Sequence, residues 1–390
     1  MRKTMKILIA VVIVVVVLVI VGKSILFPQY EEIEVTGPYE IDCVDYWVTE
    51  DQADPFLKDG SLREVQVRAW YPKDYDNPEA KLPVVIASHG SCGSIDNNRS
   101  LYREFASHGY VVLAVSHPGH AFETLHSNGK KQAVSMDFLK EMGGMDPQGK
   151  PEEAAVLFAR WMELRMMDLS VVMDDFVDRA TQAADKFGSA DTSHFVAMGH
   201  SAGGSTALGM ARTRADVAGV IALESPCMYD IKGVQDGEYI MDDSDYGIPV
   251  LNVYSDASYS HLYEWKQYQN NVKCLESKNG NYENIYYAGI GHMGLCDLSL
   301  ASPILASLLD QMKSEVEPRE QLTRLNSDCL DFLQRISSGK NDENEKGTTM
   351  VQKFKEGMIS DKVAERILWL SILFFIIFFG TTILSYRRKN

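Results

Sequence analysis

The sequence predicts an α/β fold, a mostly parallel central sheet with helices on both faces. Three observations lead there. Short β-rich runs alternate with helical stretches from Pro28 to about Arg366. Two of those runs, PVVIAS at Pro83–Ser88 and YVVLAVS at Tyr110–Ser116, are apolar throughout, as strands buried on both faces must be. A G-x-S-x-G pentapeptide stands between a strand pattern and a helix pattern.

Taken in order, Ile41–Val48 and Glu64–Tyr71 read as opening strands, the second alternating as VQVRAWY. DQADPFLKDG between them is turn chemistry. Leu101–His108 reads as a crossover helix between the two buried strands. Phe195–Met198, Val217–Leu223, Pro249–Tyr254 and Asn284–Tyr287 follow as further short strands separated by helical patterns. In the long helix expected over Glu152–Arg179, Val156, Leu164, Met167, Val171 and Val172 favour one face. Residues 118–153 break the rhythm and are rich in Gly, Asn, Lys and Met; they are either a lid over the carboxyl edge of the sheet or a surface loop.

Both ends carry apolar runs. Ile7–Val21 is unbroken behind Arg2, Lys3 and Lys6, and with the residues through Phe27 it reaches the ~20 that a spanning helix needs. An uncleaved anchor is favoured over a signal peptide, because small cleavage-site residues are missing. Ile367–Leu384 carries no charge, is flanked by Trp369 and Tyr386, and is followed by Arg387, Arg388 and Lys389. The organisation expected is a transmembrane segment over 1–27, a catalytic domain over 28–340 and a linker and stalk over 341–366. A second transmembrane helix over 367–386 completes it. Basic residues on both outer flanks place the termini in the cytoplasm and the domain on the extracytoplasmic side of a cell membrane.

The formal charge of −16 argues against a nucleic-acid partner, which needs a basic face. Six scattered cysteines form no CxxC pair, and no histidine stands at zinc-ligand spacing. Disulfides are allowed in an oxidising space, and six isolated thiols are the simpler expectation.

The chemistry centres on Gly199-His200-Ser201-Ala202-Gly203, preceded by FVAM and followed by Gly204-Ser205 and TALGMAR. A strand–turn–helix elbow holds a serine hydroxyl outward, and the helix N-terminus favours negative charge developing beside it. Ser201 is the expected nucleophile, which makes the fold the α/β-hydrolase type. The base follows it in chain order. His292, in the loop Gly291-His292-Met293-Gly294 after a strand, is favoured over His261 in SYSHLYEW. Ala202 supplies one oxyanion N–H. The other comes from the loop His89-Gly90-Ser91-Cys92-Gly93, with Ser91 first and Cys92 next. His89 reads as a structural hydrogen-bonding residue. Glu224 in VIALES and Asp256 in VLNVYSD are the two strand-end candidates for the acid. Ester hydrolysis through an acyl-enzyme needs neither a metal nor an organic cofactor.

These residues resemble the platelet-activating factor acetylhydrolase family of lipases. The shared features are SHG after one strand, YVVLAVSHPGH after the next, the Arg165…Asp168 helix, GHSAGG at the elbow, and His292…Asp297 near the end, spanning roughly residues 64–312. The resemblance implies an acid about two dozen residues beyond the serine, which favours Glu224 over Asp256; the family carries Asp where this chain has Glu. It also implies hydrolysis of short-chain or oxidised acyl groups on phospholipid-like esters. A general carboxylesterase acting on acetylated sugars or polyester-like material is the alternative, and a catalytically inactive membrane-anchored scaffold is the reading from another class. Neither membrane helix belongs to the family pattern. Asp297 reads as a structural partner of the closing loop.

Overall fold

A computed structural model describes residues 22–75, 81–182 and 187–338. Among them eight strands form one sheet: β1 (Ile41–Ala53), β2 (Leu62–Pro72), β3 (Leu82–Ser88), β4 (Val111–Ser116), β7 (Ala190–His200), β8 (Val217–Leu223), β11 (Val250–Ser255) and β12 (Tyr282–Tyr287). Their spatial order is β1-β2-β4-β3-β7-β8-β11-β12. Only β2 runs against the rest, pairing antiparallel with β1 and β4, and every pair from β4 to β12 is parallel. Two small hairpins stand outside the sheet, β5 (Glu123–Leu125) with β6 (Lys131–Ala133) and β9 (Ile231–Gln235) with β10 (Glu238–Met241).

The period of two in each central strand divides the core into two layers. Val84 and Ile86 of β3, Val111, Leu113 and Val115 of β4, and Val220 and Ala222 of β8 face one side. There they meet α3 (Pro151–Thr181) and α4 (Ala202–Thr213). Val85, Ala87, Val112, Ala114, Ile221 and Leu223 face the other side. There they meet α1 (Arg99–Ser107) and α9 (Pro318–Ser337). A sheet covered on both faces is why β3, β4 and β11 read as continuous apolar runs rather than alternating ones.

Residues 118–150 fold as the β5–β6 hairpin and α2 (Met136–Gly144). Phe138 of α2 is buried against His120 and Trp161. The hairpin is tied to β1 and β2 by Trp47 Nε1–H to Leu125 O at 2.6 Å and by Ser127 N–H to Glu64 at 2.8 Å.

The sequence reading of α3 needs correction. Val156 is 67% exposed, and Leu164, Met167 and Val171 are only partly buried. The buried face runs through Phe158, Trp161, Met162, Arg165, Asp168, Leu169, Val172 and Phe176. Two charged residues lie on that face, so counting apolar side chains rotates the helix away from its true orientation.

No helix among the described residues is long and apolar enough to cross a membrane. The apolar runs 7–21 and 367–384, and the linker over 341–366, lie outside the described residues. All six cysteines are free: Cys43 exposed, Cys92 half-buried, and Cys227, Cys274, Cys296 and Cys329 buried.

Candidate active site

The site stands at the carboxyl edge of β3, β7 and β8. The chain leaves β7 at His200, turns at Ser201 with φ 56° and ψ −127°, and enters α4 at Ala202. This is the sharp elbow expected of the pentapeptide. The helix start lies hard against the end of β3, since a Cβ on Gly203 would sit 2.0 Å from the Ser88 carbonyl oxygen. Only glycine fits there. Ser201 donates its N–H to Leu223 O at 2.8 Å, which locks the elbow to the end of β8.

Three non-glycine residues at this edge hold left-handed backbone: Cys92 at φ 55°, Ser201 at 56° and Glu224 at 53°. Each costs on the order of 1–3 kcal/mol, which the surrounding hydrogen bonds must offset. Such strain concentrates where geometry serves a reaction.

Glu224 follows β8 directly and is 1% exposed. Its Oε2 accepts the Ser255 N–H at 2.5 Å, while Oε1 is buried without a hydrogen-bond partner among the described residues. Burial pushes its carboxyl up to about 7, against the lowering influence of Ser258 and Ser255. Asp256 is differently placed. Its Oδ1 accepts the Tyr286 hydroxyl at 2.5 Å and its Oδ2 the Gly289 N–H at 3.0 Å. Both of its oxygens are therefore engaged in tying β11 to the loop after β12.

That loop carries His292. Its ring lies 4.5 Å from the His200 ring, centroid to centroid, and its carbonyl pairs with His200 Nε2 at 3.0 Å. Burial, with His200 beside it, holds the His292 ring well below the ordinary histidine range. The loop thus packs on the residue preceding Ser201. Among the described residues, no hydrogen bond joins the His292 ring to Ser201 or to Glu224 in this arrangement. His261 is engaged elsewhere, stacked on Trp265 at 4.5 Å and paired with Glu264 at 3.0 Å.

On the β3 side, Gly90 lies against Ser201, where an added Cβ would come within 3.2 Å of Ser201 Cβ. The Cys92 N–H donates to His120 O at 2.9 Å. The second oxyanion candidate is corrected on that ground: its donor is already occupied, which leaves Ser91 in the loop, with Ala202 at the first position of α4. His89 is buried. Its Nδ1 meets Gly90 O at 2.6 Å and its Nε2 accepts the His117 N–H at 3.1 Å, so the ring is neutral and structural. Asp297 is likewise structural, accepting the N–H and hydroxyl of Ser100 at 3.0 Å each and so joining α1 to the loop of His292.

One residue escaped the sequence reading. Asp310 closes α8 (Pro303–Asp310) and accepts the Met293 N–H at 2.9 and 3.0 Å. Burial pushes its carboxyl up to about 7. It packs so closely on the loop that a Cβ at Gly291 would come within 2.3 Å of its Oδ2. Its sequence signal was a single carboxylate ending the run PILASLLD.

Beneath the site lies a buried ionic network. Asp168 accepts Arg63 Nε and Nη2 at 2.6 and 2.8 Å and pairs with His117 Nδ1 at 2.7 Å. Burial raises the Asp168 carboxyl, yet Arg63 outweighs it and holds the group well below the usual carboxylate range. His117 Nε2 in turn meets Ser88 Oγ at 2.8 Å, at the end of β3.

Comparison with known proteins shows the family of the chain. The family model described as platelet-activating factor acetylhydrolase, isoform II, matches residues 73–136 and 162–357. Platelet-activating factor acetylhydrolase of Gallus gallus is 24% identical over 289 residues, covering 68% of this chain and 64% of the relative's length. The solved structure of ferulic acid esterase from Streptomyces cinnamoneus superposes with a TM-score of 0.57 at 16% identity, over 86% of this chain and 98% of that one; at that identity the likeness speaks for the fold. With the family model covering more than half of the residues, the chain belongs to the platelet-activating factor acetylhydrolase, isoform II, family.

Proposed function

We propose that Ser201, His292 and Glu224 form the catalytic triad. Ser201 Oγ attacks the ester carbonyl, and His292 takes the proton and returns it to the leaving alcohol. Glu224 holds the imidazolium, and the N–H groups of Ser91 and Ala202 hold the oxyanion. Water then releases the acid from the acyl-enzyme. The observation that carries the acid assignment is the contrast between two carboxylates. Glu224 has a buried oxygen without a partner among the described residues, one strand from Ser201, while both oxygens of Asp256 are engaged.

The substrate class we propose is a phospholipid-like ester with a short or oxidised acyl group, in keeping with the family. We further propose a two-pass membrane protein with its catalytic domain on the extracytoplasmic side, on the strength of the apolar runs 7–21 and 367–384 and their outer basic flanks. Exposed apolar side chains support a lipid-facing surface: Ile25 and Phe27 near the start of the described chain, and Ile304, Leu308 and Leu309 on α8. The two groups are linked, since Ser302 Oγ donates to Leu26 O, and α8 ends at Asp310 beside the His292 loop.

Fluorophosphonate labelling of the membrane-expressed protein tests the triad. Labelling should vanish in Ser201→Ala and fall sharply in His292→Ala. A panel of esters then tests the substrate class: turnover of acetylated sugars with no turnover of short-acyl phospholipids would overturn it in favour of a general carboxylesterase.

A further inference from the structure

The long helix α3 buries an arginine whose donors go to neutral groups. Arg165 is fully buried and donates through Nη1 to His89 O at 2.7 Å, through Nη2 to Gly90 O at 3.3 Å, and through Nε to His120 Nδ1 at 3.3 Å. Ser88 Oγ lies 3.4 Å from Nη1. The nearby carboxylate on the same helix, Asp168, is engaged with Arg63 and His117 instead. Desolvating a guanidinium is costly, and a fold that needed only a helix anchor could use a carboxylate pair, as it does at Arg63. Here the charge is directed at two successive carbonyls of the loop that follows β3.

We propose that Arg165 is a positioning residue of the oxyanion site, clamping and polarising the Gly90–Ser91 peptide so that the Ser91 N–H is presented to the developing oxyanion. The proposal rests on the catalytic reading given above. In a trans peptide the C=O and N–H point in opposite directions, and there is no cis peptide among the described residues. Turning the Gly90 carbonyl onto Arg165 therefore turns the Ser91 N–H away from it. Gly90 itself packs on Ser201 and His200. The same carbonyl also accepts the Gly93 N–H at 3.0 Å and meets His89 Nδ1 at 2.6 Å. Several donors on one carbonyl oxygen draw electron density through the peptide and make its N–H a stronger donor. His120 completes the device. Its ring nitrogen takes Arg165 Nε, and its carbonyl takes the Cys92 N–H, so the next amide in the turn is held out of the site.

The test uses the full chain solubilised in detergent, with Arg165→Lys and Arg165→Met. Turnover of para-nitrophenyl acetate is measured beside the inhibition constant of a trifluoromethyl ketone, whose hemiketal places an oxyanion where the tetrahedral intermediate would. Losing an oriented oxyanion donor lowers kcat about 100-fold. We expect a loss of that order in Arg165→Met, a smaller one in Arg165→Lys, KM within about threefold, and ketone binding weakened by the same factor as kcat/KM. A structural role alone would reduce active enzyme without changing ketone affinity per active site, and that outcome overturns the proposal. If Arg165→Met fails to fold, Arg165→Lys carries the comparison. Turnover that survives Ser201→Ala overturns the catalytic reading and this inference together. Turnover that requires Ser201 but ignores Arg165 overturns this inference alone.

Discussion

Ser201 donates its backbone N–H to the Leu223 carbonyl, so Ser201 stands one peptide away from Glu224 across the ends of two adjacent parallel strands. Both residues hold left-handed backbone, and both are fixed by hydrogen bonds to the next strand over: Ser201 to β8 and Glu224, through its own N–H to Val253 O at 2.7 Å, to β11. Strand pairing thus places a hydroxyl and a carboxylate at the same edge without help from either side chain.

The two acid candidates should separate cleanly on substitution. Glu224→Ala should lower kcat by about 100- to 10,000-fold, the range seen when a triad member is lost. Asp256→Asn should leave kcat within about tenfold while lowering the thermal midpoint, because its carboxylate ties Tyr286 and Gly289 to β11. The reverse ranking in steady-state kinetics would reassign the acid to Asp256.

The pH profile should carry an acid limb near neutrality. Burial places the Glu224 carboxyl at about 7. The ionised form, which holds the imidazolium in the proposed triad, therefore grows as pH rises through that value. We expect kcat/KM to climb between about pH 6 and 8, with the limb belonging to the Glu224–His292 pair jointly. Glu224→Gln should flatten it. A profile already level from pH 5 upward would contradict a Glu224 carboxyl raised by burial.

Stability should run the other way with pH. Glu224, Asp297 and Asp310 are each raised to about 7 by burial, so the folded state holds their protons more tightly than the unfolded chain does. Their contribution is fully present below the ordinary carboxylate range and is lost as pH rises through about 7, at ~1.4 kcal/mol per pKa unit of displacement. Urea midpoints at pH 5.5 and 8.5 should show the decline, and the Asp310→Asn variant should show less of it.

Removing the carboxylate beneath the site should unfold the protein more readily than it slows the chemistry. Asp168→Asn leaves Arg63 buried and short of its main partner, at a cost of about 3–5 kcal/mol. Chemical denaturation measures it. A loss under 1 kcal/mol would mean that Glu50 and Asp54, 3.7 and 3.4 Å from Arg63, satisfy it alone.

Glycine at the elbow admits no substitute. Gly203→Ala would drive a Cβ into the Ser88 carbonyl at the end of β3. Labelling by a fluorophosphonate should be abolished along with a fall in thermal midpoint, whereas alanine at Gly129, where the space is open, should spare labelling even though its φ of 80° makes the change mildly strained.

Much of this was legible in the amino-acid order alone. A strand buried on both faces must be apolar at every position, so β3 and β4 announced themselves, and with them a covered parallel sheet. An elbow that brings backbone within contact of the next strand must use glycine, so Gly199-His200-Ser201-Ala202-Gly203 located the strand–turn–helix elbow. The orientation of α3 could not be read that way, because its buried face carries Arg165 and Asp168, whose partners come from distant strands and loops. For the same reason the role of Asp310, the engagement of the Cys92 amide and the contrast between Glu224 and Asp256 were decided only in three dimensions. Local sequence sets backbone preference and hydrophobic period; which donor meets which acceptor depends on strand order and on where each loop is packed. The tertiary structure alone settles that.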